Sequence, residues 1–377
     1  MASSNHSSQP ASDIPWAFRD QEVRFARAFT LMRVAIHRRA FPAAALAVTY
    51  HRELVALEGF GHFTYDADAP AVQADTIFDL ASVTKAVAAT TMAMLLHERG
   101  LLHLDAKVAH ILPDFVSLAS STQRPDRAAV TVRMLLAHSS GLPAYIKLFE
   151  SAKTREELVG AAIITPLVAV PAAKADYSDI GFILLGEILA KLAGDPLDVF
   201  VRQEILEPLG MTQTCFNPPT SARRAIPPTQ DDRTFRHRII QAEVNDENAY
   251  IMGGVSGHAG LFGPAIDVAR FAECMLRGGA PILQPETVEL FTRREISPIG
   301  TSRALGWDTP STPSSSGKHF SARSFGHLGY TGTSLWIDPD RQLSVTLLTN
   351  RTWPDRSSQQ IKTVRPLIHD AVVEALD

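Results

Sequence analysis

Ser82-Val83-Thr84-Lys85 sets a hydroxyl and an amine three residues apart, on one face of a helix, where the amine can take the hydroxyl's proton. That is the chemistry of a nucleophile. The run Val83 to Leu96 is rich in Ala, Met and Leu and predicts a buried helix, while Thr76 to Leu80 before it reads as extended chain. A serine at that junction is exposed at a helix end, with backbone N–H groups facing incoming negative charge. Burial of Lys85 would disfavour its charged form and make it a usable base. A capping serine beside a surface lysine gives the same tetrapeptide, so the reading depends on partners elsewhere in the chain.

Two further stretches supply candidates. Tyr177-Ser178-Asp179 precedes the apolar run Ile180 to Leu189, so Ser178 or Asp179 can cap the helix and hold the tripeptide at a rigid corner. A phenol there, flanked by a lysine ammonium, is partly stabilised as phenolate and can act as base or acid; a tyrosine packed over a helix start gives the same sequence. Gly326-His327-Leu328-Gly329-Tyr330-Thr331-Gly332-Thr333 leads into a strand ending at Ile337. Its three glycines are expected to leave a sheet edge bare for a substrate to approach, and an N–H from this edge can join that of Ser82 as an oxyanion hole.

The elements that must position these residues fall into two groups. Arg19 to Arg39 reads as an amphipathic helix, and Ala43 to Tyr50 and Leu54 to Phe60 as antiparallel strands across a three-residue turn. Thr333 to Ile337 and Leu343 to Thr349 are strand-like around Asp338-Pro339-Asp340, and Pro366 to Leu376 predicts a terminal helix. Both chain ends therefore build one sheet-and-helix lobe, assigned to 19–100 and 245–377 after a flexible polar N-terminus over 1–18. Helical candidates at 155–164, 180–193 and 196–208 make 101–244 a mainly helical lobe, a further helix is expected at 265–277, and Thr309 to Gly317 reads as a surface loop. The active site is expected in the seam between lobes.

Composition narrows the function classes. The 377 residues are 45% apolar and 20% charged, which suits a globular core, and 36 Lys plus Arg against 40 Asp plus Glu leave a charge of −4 with no basic block, which argues against nucleic acid as a partner. No segment approaches the roughly eighteen uninterrupted apolar residues of a membrane span. Met1 to Pro15 lacks the pattern of an export signal, so a cytoplasmic location is expected, or a periplasmic one where the natural start lies upstream. Cys215 and Cys274 lack Cys-x-x-Cys spacing and read as ordinary buried thiols. His138, in an apolar run, reads as a structural hydrogen-bonder, and His258 as a cleft-wall candidate. Asn245-Asp246-Glu247-Asn248 lacks the spaced ligands and central glycine of a calcium loop and reads as a tight turn or cleft wall. No phosphate loop, dinucleotide fingerprint or His-Glu-x-x-His run occurs, and the inferred chemistry calls for no cofactor and no metal.

Ser-x-x-Lys, then Tyr-Ser-Asp, then His-Leu-Gly near the C-terminus together resemble the penicillin-recognising serine hydrolases: class C β-lactamases, D-alanyl-D-alanine carboxypeptidases and the related family VIII carboxylesterases. The resemblance spans roughly Phe41 to Asn350 and is supported by Phe78 to Lys85, Met134 to Leu142 and Gly257 to Phe262. It implies an α/β (α+β) β-lactamase/transpeptidase-like fold, a central antiparallel sheet flanked by helices beside a mainly helical lobe. It makes Ser82 the acylated nucleophile, Lys85 its proton acceptor or electrostatic partner, Tyr177 the proton shuttle, and the N–H groups of Ser82 and Tyr330 the oxyanion hole. Asp179, His327, Leu328 and Gly329 take substrate-binding positions. Asp179 stands where lactamases and peptidases usually carry asparagine, and Leu328 replaces a threonine hydroxyl, so donors for an amide and a carboxylate are lost.

The expected function is therefore a serine hydrolase of small carboxylic esters with weak or no β-lactam turnover. The alternatives are a β-lactamase or D-alanyl-D-alanine carboxypeptidase/amidohydrolase acting on a cell-wall peptide, and a catalytically silent binding module. Ser82→Ala should abolish hydrolysis of a short activated ester while leaving unfolding cooperative. A chromogenic ester assay run beside a thermal melt checks this, and undiminished turnover rules out Ser82 as the covalent centre.

Overall fold

The computed structural model describes residues 14–18 and 20–377. Of the N-terminus expected to be flexible, 1–13 lie outside the described residues, but 14–18 are tied down: Ala17 N–H donates to Leu54 O at 3.0 Å, Leu54 N–H to Pro15 O at 2.9 Å, and Ile14 is buried. The amphipathic helix begins at Gln21 and breaks at Phe25 into Gln21–Arg24 and Ala26–His37.

Ten strands occur among the described residues, in chain order β1 Ala43–Tyr50, β2 Glu53–Gly61, β3 Phe78–Asp79, β4 Cys215–Phe216, β5 Gln230–Asp232, β6 Arg238–Ile240, β7 Leu261–Gly263, β8 Phe325–Leu328, β9 Ser334–Asp338 and β10 Leu343–Thr349. Five of them form one antiparallel sheet in the order β2-β1-β10-β9-β8, so the last strand returns to the middle and both chain ends share one sheet. Side chains alternate between faces with period two. On β1, Ala44, Leu46 and Val48 pack with the helices Ala26–His37 and Ile361–Glu374, while Ala43, Ala45 and Ala47 join the larger core that holds Ala265–Leu276 and the segment behind Ser82. Both faces are thus covered, which is why every residue of β10 is apolar or a buried hydroxyl.

The C-terminal helix starts at Ile361, five residues before the proline that the sequence suggests as its beginning. Pro366 falls on the second turn, where only the carbonyl of exposed Lys362 forgoes its intrahelical partner. Packing of Ile361, Ile368, Val372 and Val373 against the sheet outweighs that loss. The expected helices at 155–164, 180–193 and 265–277 appear as Arg155–Ile164, Asp179–Ala193 and Ala265–Leu276.

Two devices hold the Ser82 region. A small sheet in the order β3-β7-β4 places Phe78–Asp79 beside Leu261–Gly263, and Leu80 N–H donates to Leu261 O at 2.9 Å while Leu261 N–H donates to Thr84 Oγ1 at 3.1 Å. After the turn the chain winds as one π-helical stretch, Lys85–Thr90, before regular α-helix over Thr91–Glu98, where a uniform α-helix is expected from composition. Such i→i+5 turns often mark functional sites because they re-aim the residues preceding them. The β8–β9 turn is fastened to the same segment through Thr331 Oγ1 to Asp79 O at 2.9 Å and Thr333 Oγ1 to Leu80 O at 3.0 Å.

This last contact adds a packing role to the glycines. A Cβ on Gly326 would meet Leu335 O at 2.4 Å, one on Gly332 would meet Thr349 Oγ1 at 2.1 Å, and one on Gly329 would meet Thr333 Oγ1 at 1.8 Å and Leu80 O at 2.8 Å. The glycines let chain approach chain, while β8 stays the edge strand of the sheet and Gly329 lines the cavity. Gly329→Ala should therefore pry the β8–β9 turn from the Ser82 segment, costing about 1–3 kcal/mol in urea unfolding and lowering kcat more than KM. Gly160→Ala, on a helix where nothing lies within 4 Å, is the control and should be neutral or slightly stabilising.

Candidate active site

Ser82 follows a strained corner. Ala81 has φ +46°, and its N–H is held by Asp79 Oδ1 at 2.8 Å; Asp79 Oδ2 accepts Asn245 N–H at 2.7 Å. Burial raises the Asp79 carboxyl to about 6 despite these two donors. The corner turns Ser82 Oγ towards Lys85, whose Nζ lies 3.0 Å away.

Lys85 is fully buried, and its ammonium meets three acceptors: Ser82 Oγ at 3.0 Å, Asp179 Oδ1 at 2.6 Å and the main-chain carbonyl of His258 at 3.0 Å. The Tyr177 hydroxyl approaches the same ammonium. Burial by itself opposes the charge, as the sequence leads one to expect, but the Asp179 carboxylate and the Tyr177 oxygen outweigh it and the lysine titrates above its ordinary value. The expected free-amine base is corrected to a resting ammonium. Asp179, expected to meet the substrate, owes its position to the helix Asp179–Ala193, capped by Ser178 Oγ accepting Gly181 N–H at 3.0 Å, and one of its oxygens is committed to Lys85.

Tyr177 stands just outside that helix on the cavity wall, with its ring 4.9 Å from Lys85 Nζ and 5.5 Å from the Arg303 guanidinium. Burial raises its phenol above the usual value while Lys85 and Ser82 favour the ionised form. His138 packs 4.6 Å from the Tyr177 ring and its Nδ1 accepts Ser178 N–H at 3.0 Å. Burial, reinforced by Arg303 and Lys85, keeps that imidazole neutral, as an acceptor must be. His258 lies beneath the wall: its imidazole is buried between Ser256 Oγ at 2.7 Å and Asp246 Oδ1 at 2.9 Å, and only its carbonyl reaches the site. The cleft wall at that point is Asp246 and Ala259.

His327, Leu328 and Gly329 line the opposite side of the cavity, whose volume is about 610 Å³. His327 Nδ1 lies 2.8 Å from Leu328 O, which places its proton there and leaves Nε2 a buried acceptor with no partner. Burial, with Lys85 and Arg303 nearby, brings this imidazole down to about 3. Among the described residues neither the Ser82 nor the Tyr330 N–H donates to a protein acceptor. Asn245, Asp246 and Glu247 also line the cavity, Asp246 capping the helix Glu247–Ile251 through Ala249 N–H at 2.8 Å. Among the described residues no cluster of His, Cys, Asp or Glu is arranged to hold a metal ion, and no helix is long and apolar enough to cross a membrane. Both cysteines are free, Cys274 buried and Cys215 half-exposed where burial was expected.

The structure adds residues that no sequence signal marked: Arg303, Arg351, Arg356, Lys362 and Arg365 also line the cavity. They come from a loop after Thr292, the segment after β10 and the terminal helix, and they add cationic donors to a site where the Asp179 and Leu328 side chains supply none.

The antiparallel sheet with helices on both faces, a helical lobe beside it and a serine–lysine–tyrosine cluster define a β-lactamase/transpeptidase-like fold. The chain belongs to the beta-lactamase family of serine hydrolases, whose family model matches residues 28–368. It is 33% identical over 347 residues to an N-acetylmuramyl-L-alanine amidase of Bacillus subtilis (strain 168), covering 82% of this chain and 77% of that protein. It is also 33% identical over 302 residues to a "Putative D-alanyl-D-alanine carboxypeptidase" of Escherichia coli (strain K12), covering 73% and 69%. Among solved structures it is similar to EstCE1, a hydrolase with promiscuous acyltransferase activity, with a TM-score of 0.76 at 22% identity over 93% of this chain and 99% of that one.

The geometry yields a pH prediction. In Asp179→Asn the anion that offsets the burial of Lys85 is gone, so the ammonium is less favoured and the lysine titrates lower. The alkaline fall in activity, where Lys85 loses its proton, should then move to lower pH, together with a rate loss on the order of 10²–10⁴. A kcat/KM profile of both proteins from acid to alkaline pH measures the shift; an unmoved limb would show that the pair does not govern the reacting state.

Proposed function

We propose that this protein is a serine amidohydrolase that forms an acyl-enzyme at Ser82 and cleaves an amide bond in a small peptide-type substrate of the bacterial cell wall. The observation that carries the reading is the continuous chain Ser82 Oγ, Lys85 Nζ, Asp179 Oδ1, at 3.0 and 2.6 Å, beside Tyr177 and opening onto the cavity. Ser82 Oγ attacks the substrate carbonyl carbon. Its proton passes to Lys85 Nζ as Nζ releases one of its own to Asp179 Oδ1, so the lysine relays a proton without ever becoming a free amine. The N–H groups of Ser82 and Tyr330 receive the charge developing on the carbonyl oxygen. Tyr177 protonates the leaving nitrogen as the C–N bond breaks and recovers its proton from Asp179 through Lys85. Water then attacks the acyl carbon, gives its proton to the same relay, and frees Ser82.

One feature favours an amide over the ester expected from sequence. The relatives at 33% identity are described as an amidase and a carboxypeptidase, whereas the esterase-like neighbour shares the fold at 22% identity. Ester hydrolysis is the second reading, favoured by Leu328, which offers no hydroxyl to a substrate carboxylate.

The test is a comparison of kcat/KM for a muramyl-L-alanine peptide, a peptide ending in D-alanyl-D-alanine, a p-nitrophenyl butyrate ester and a chromogenic cephalosporin. One of the two amides should exceed the activated ester once intrinsic reactivity is normalised by the uncatalysed rates, and exceed the cephalosporin by at least about a hundredfold. Ester turnover with no cleavage of either amide would return the assignment to carboxylesterase.

A further inference from the structure

Beneath the Ser82 corner one buried residue serves three segments at once. Asp79, on β3 and 2% exposed, accepts Ala81 N–H at Oδ1 over 2.8 Å and Asn245 N–H at Oδ2 over 2.7 Å, while its main-chain carbonyl accepts Thr331 Oγ1 at 2.9 Å. The segment before Ser82, the cavity wall at Asn245 and the β8–β9 turn therefore all bear on it. Both bonds of the carboxylate go to main-chain N–H groups, so it stands outside the proton path of Ser82, Lys85 and Tyr177.

The corner needs such a hold. Ala81 sits at φ +46°, a left-handed conformation that a residue with a Cβ rarely adopts, and the next residue supplies both Ser82 Oγ and Ser82 N–H. Asn245 is fixed from its other side: Arg236 Nη2 donates to its carbonyl at 2.8 Å, and its own Nδ2 donates to Thr229 Oγ1 at 3.2 Å. Asp79 carries that anchorage across to Ala81. The charged groups facing its carboxyl are Asp246, paired with His258 at 2.9 Å, and Arg236, paired with Asp232 and Glu243, each at 3.2 Å; on the Ser82 side Lys85 is paired with Asp179, and the partner strand β7 has no titratable side chain. Burial, to which the Asp246 charge adds, keeps the carboxyl at about 6 against its two N–H donors and Arg236. An ionised carboxylate binds N–H groups more strongly than the neutral acid, and the acid turns one of its oxygens into a donor. Protonation therefore weakens the hold on Ala81 and Asn245. It does not unfold the chain on its own account, because a carboxyl raised above its value in the unfolded chain contributes stability on the acid side that is lost as pH rises through about 6.

We propose that Asp79 is a positioning residue for the acylation step: its carboxylate, by holding Ala81 N–H and Asn245 N–H together, sets Ser82 Oγ and Ser82 N–H for attack, and its protonation slows the reaction while the fold persists. This rests on the acyl-enzyme reading for the identity of the nucleophile.

Hydrolysis of p-nitrophenyl butyrate and fluorophosphonate labelling of Ser82, both followed from about pH 5 to about pH 7.5, test this in the parent protein, in Asp79→Asn and in Ala81→Gly. In the parent, kcat and the labelling rate should fall about tenfold towards the acid end, as a single group titrating at about 6 requires, with KM changed less than about twofold and unfolding still cooperative. Asp79→Asn presents one acceptor and one donor at every pH, so its kcat should be flat over this range and, at the upper end, at least about fivefold below the parent's. Glycine accepts a positive φ without strain, so Ala81→Gly should shrink the acid fall at least about threefold, and this variant decides the matter even where Asp79→Asn does not fold. A parent without an acid fall, an Asp79→Asn protein that keeps it or matches the parent at about pH 7.5, or an undiminished fall in Ala81→Gly overturns the proposal; a fall that Asp79→Asn retains belongs to another group, such as His258. Absence of label on Ser82 at every pH overturns the acyl-enzyme reading and this one with it, whereas a labelled Ser82 indifferent to Asp79 overturns this one alone.

Discussion

A single buried ammonium ties the site together. Lys85 is fully buried, and its ammonium is held by a serine on its own turn, a carboxylate from the helix Asp179–Ala193 and a carbonyl from the segment before β7, with the Tyr177 hydroxyl beside them. Removing one partner of such a pair leaves an uncompensated charge in the interior, which typically costs about 3–5 kcal/mol. The segment after β3, the helix Asp179–Ala193 and the segment before β7 thereby meet at one point. Of these partners, Ser82 and Asp179 can exchange a proton with Lys85, while the His258 carbonyl only accepts.

Around that ammonium the fold adds a second constraint, the fastening of the β8–β9 turn to the Ser82 segment. Thr331 and Thr333 reach across to the carbonyls of Asp79 and Leu80, and Gly329 has no side chain because none would fit. The two main-chain N–H groups proposed to meet the oxyanion belong to these two segments. Their separation is thus a property of the fastening and not of either segment alone. Arg351 and Arg365 donate to the carbonyls of Tyr330 and Gly332 and so brace the same turn.

Neutral histidines complete the site. His138 and His327 are both buried close to Lys85 and Arg303, and both are kept uncharged by burial and by those cations. Each can then accept a hydrogen bond: His138 holds the corner at Ser178, and His327 keeps a buried Nε2 without a partner. His258 acts at one remove, steadying Asp246, which burial would raise but which the imidazole draws down to about 2.

The sequence by itself determined the parts that depend on neighbours along the chain. Alternation in β1 and β10, the capped start at Ser178 and the apolar run after Ser82 are local patterns, and so the sheet, the principal helices and the grouping of Ser82, Lys85, Tyr177 and His327 were legible. Boundaries were legible only where a local signal set them, and Pro366 misled because packing of the terminal helix outweighs one missing bond. What only the tertiary structure decided are the interactions between segments far apart in sequence. The state of Lys85 follows from a carboxylate ninety-four positions away, and the sign of its shift is the balance of burial against that charge, which no one-dimensional pattern contains. The role of the glycines depends on which chain lies opposite, and Arg351, Lys362 and Arg365 reach the cavity only because the terminal region folds back beside the β8–β9 turn. Periodicity reports which face of an element is buried; it does not report what that face is buried against.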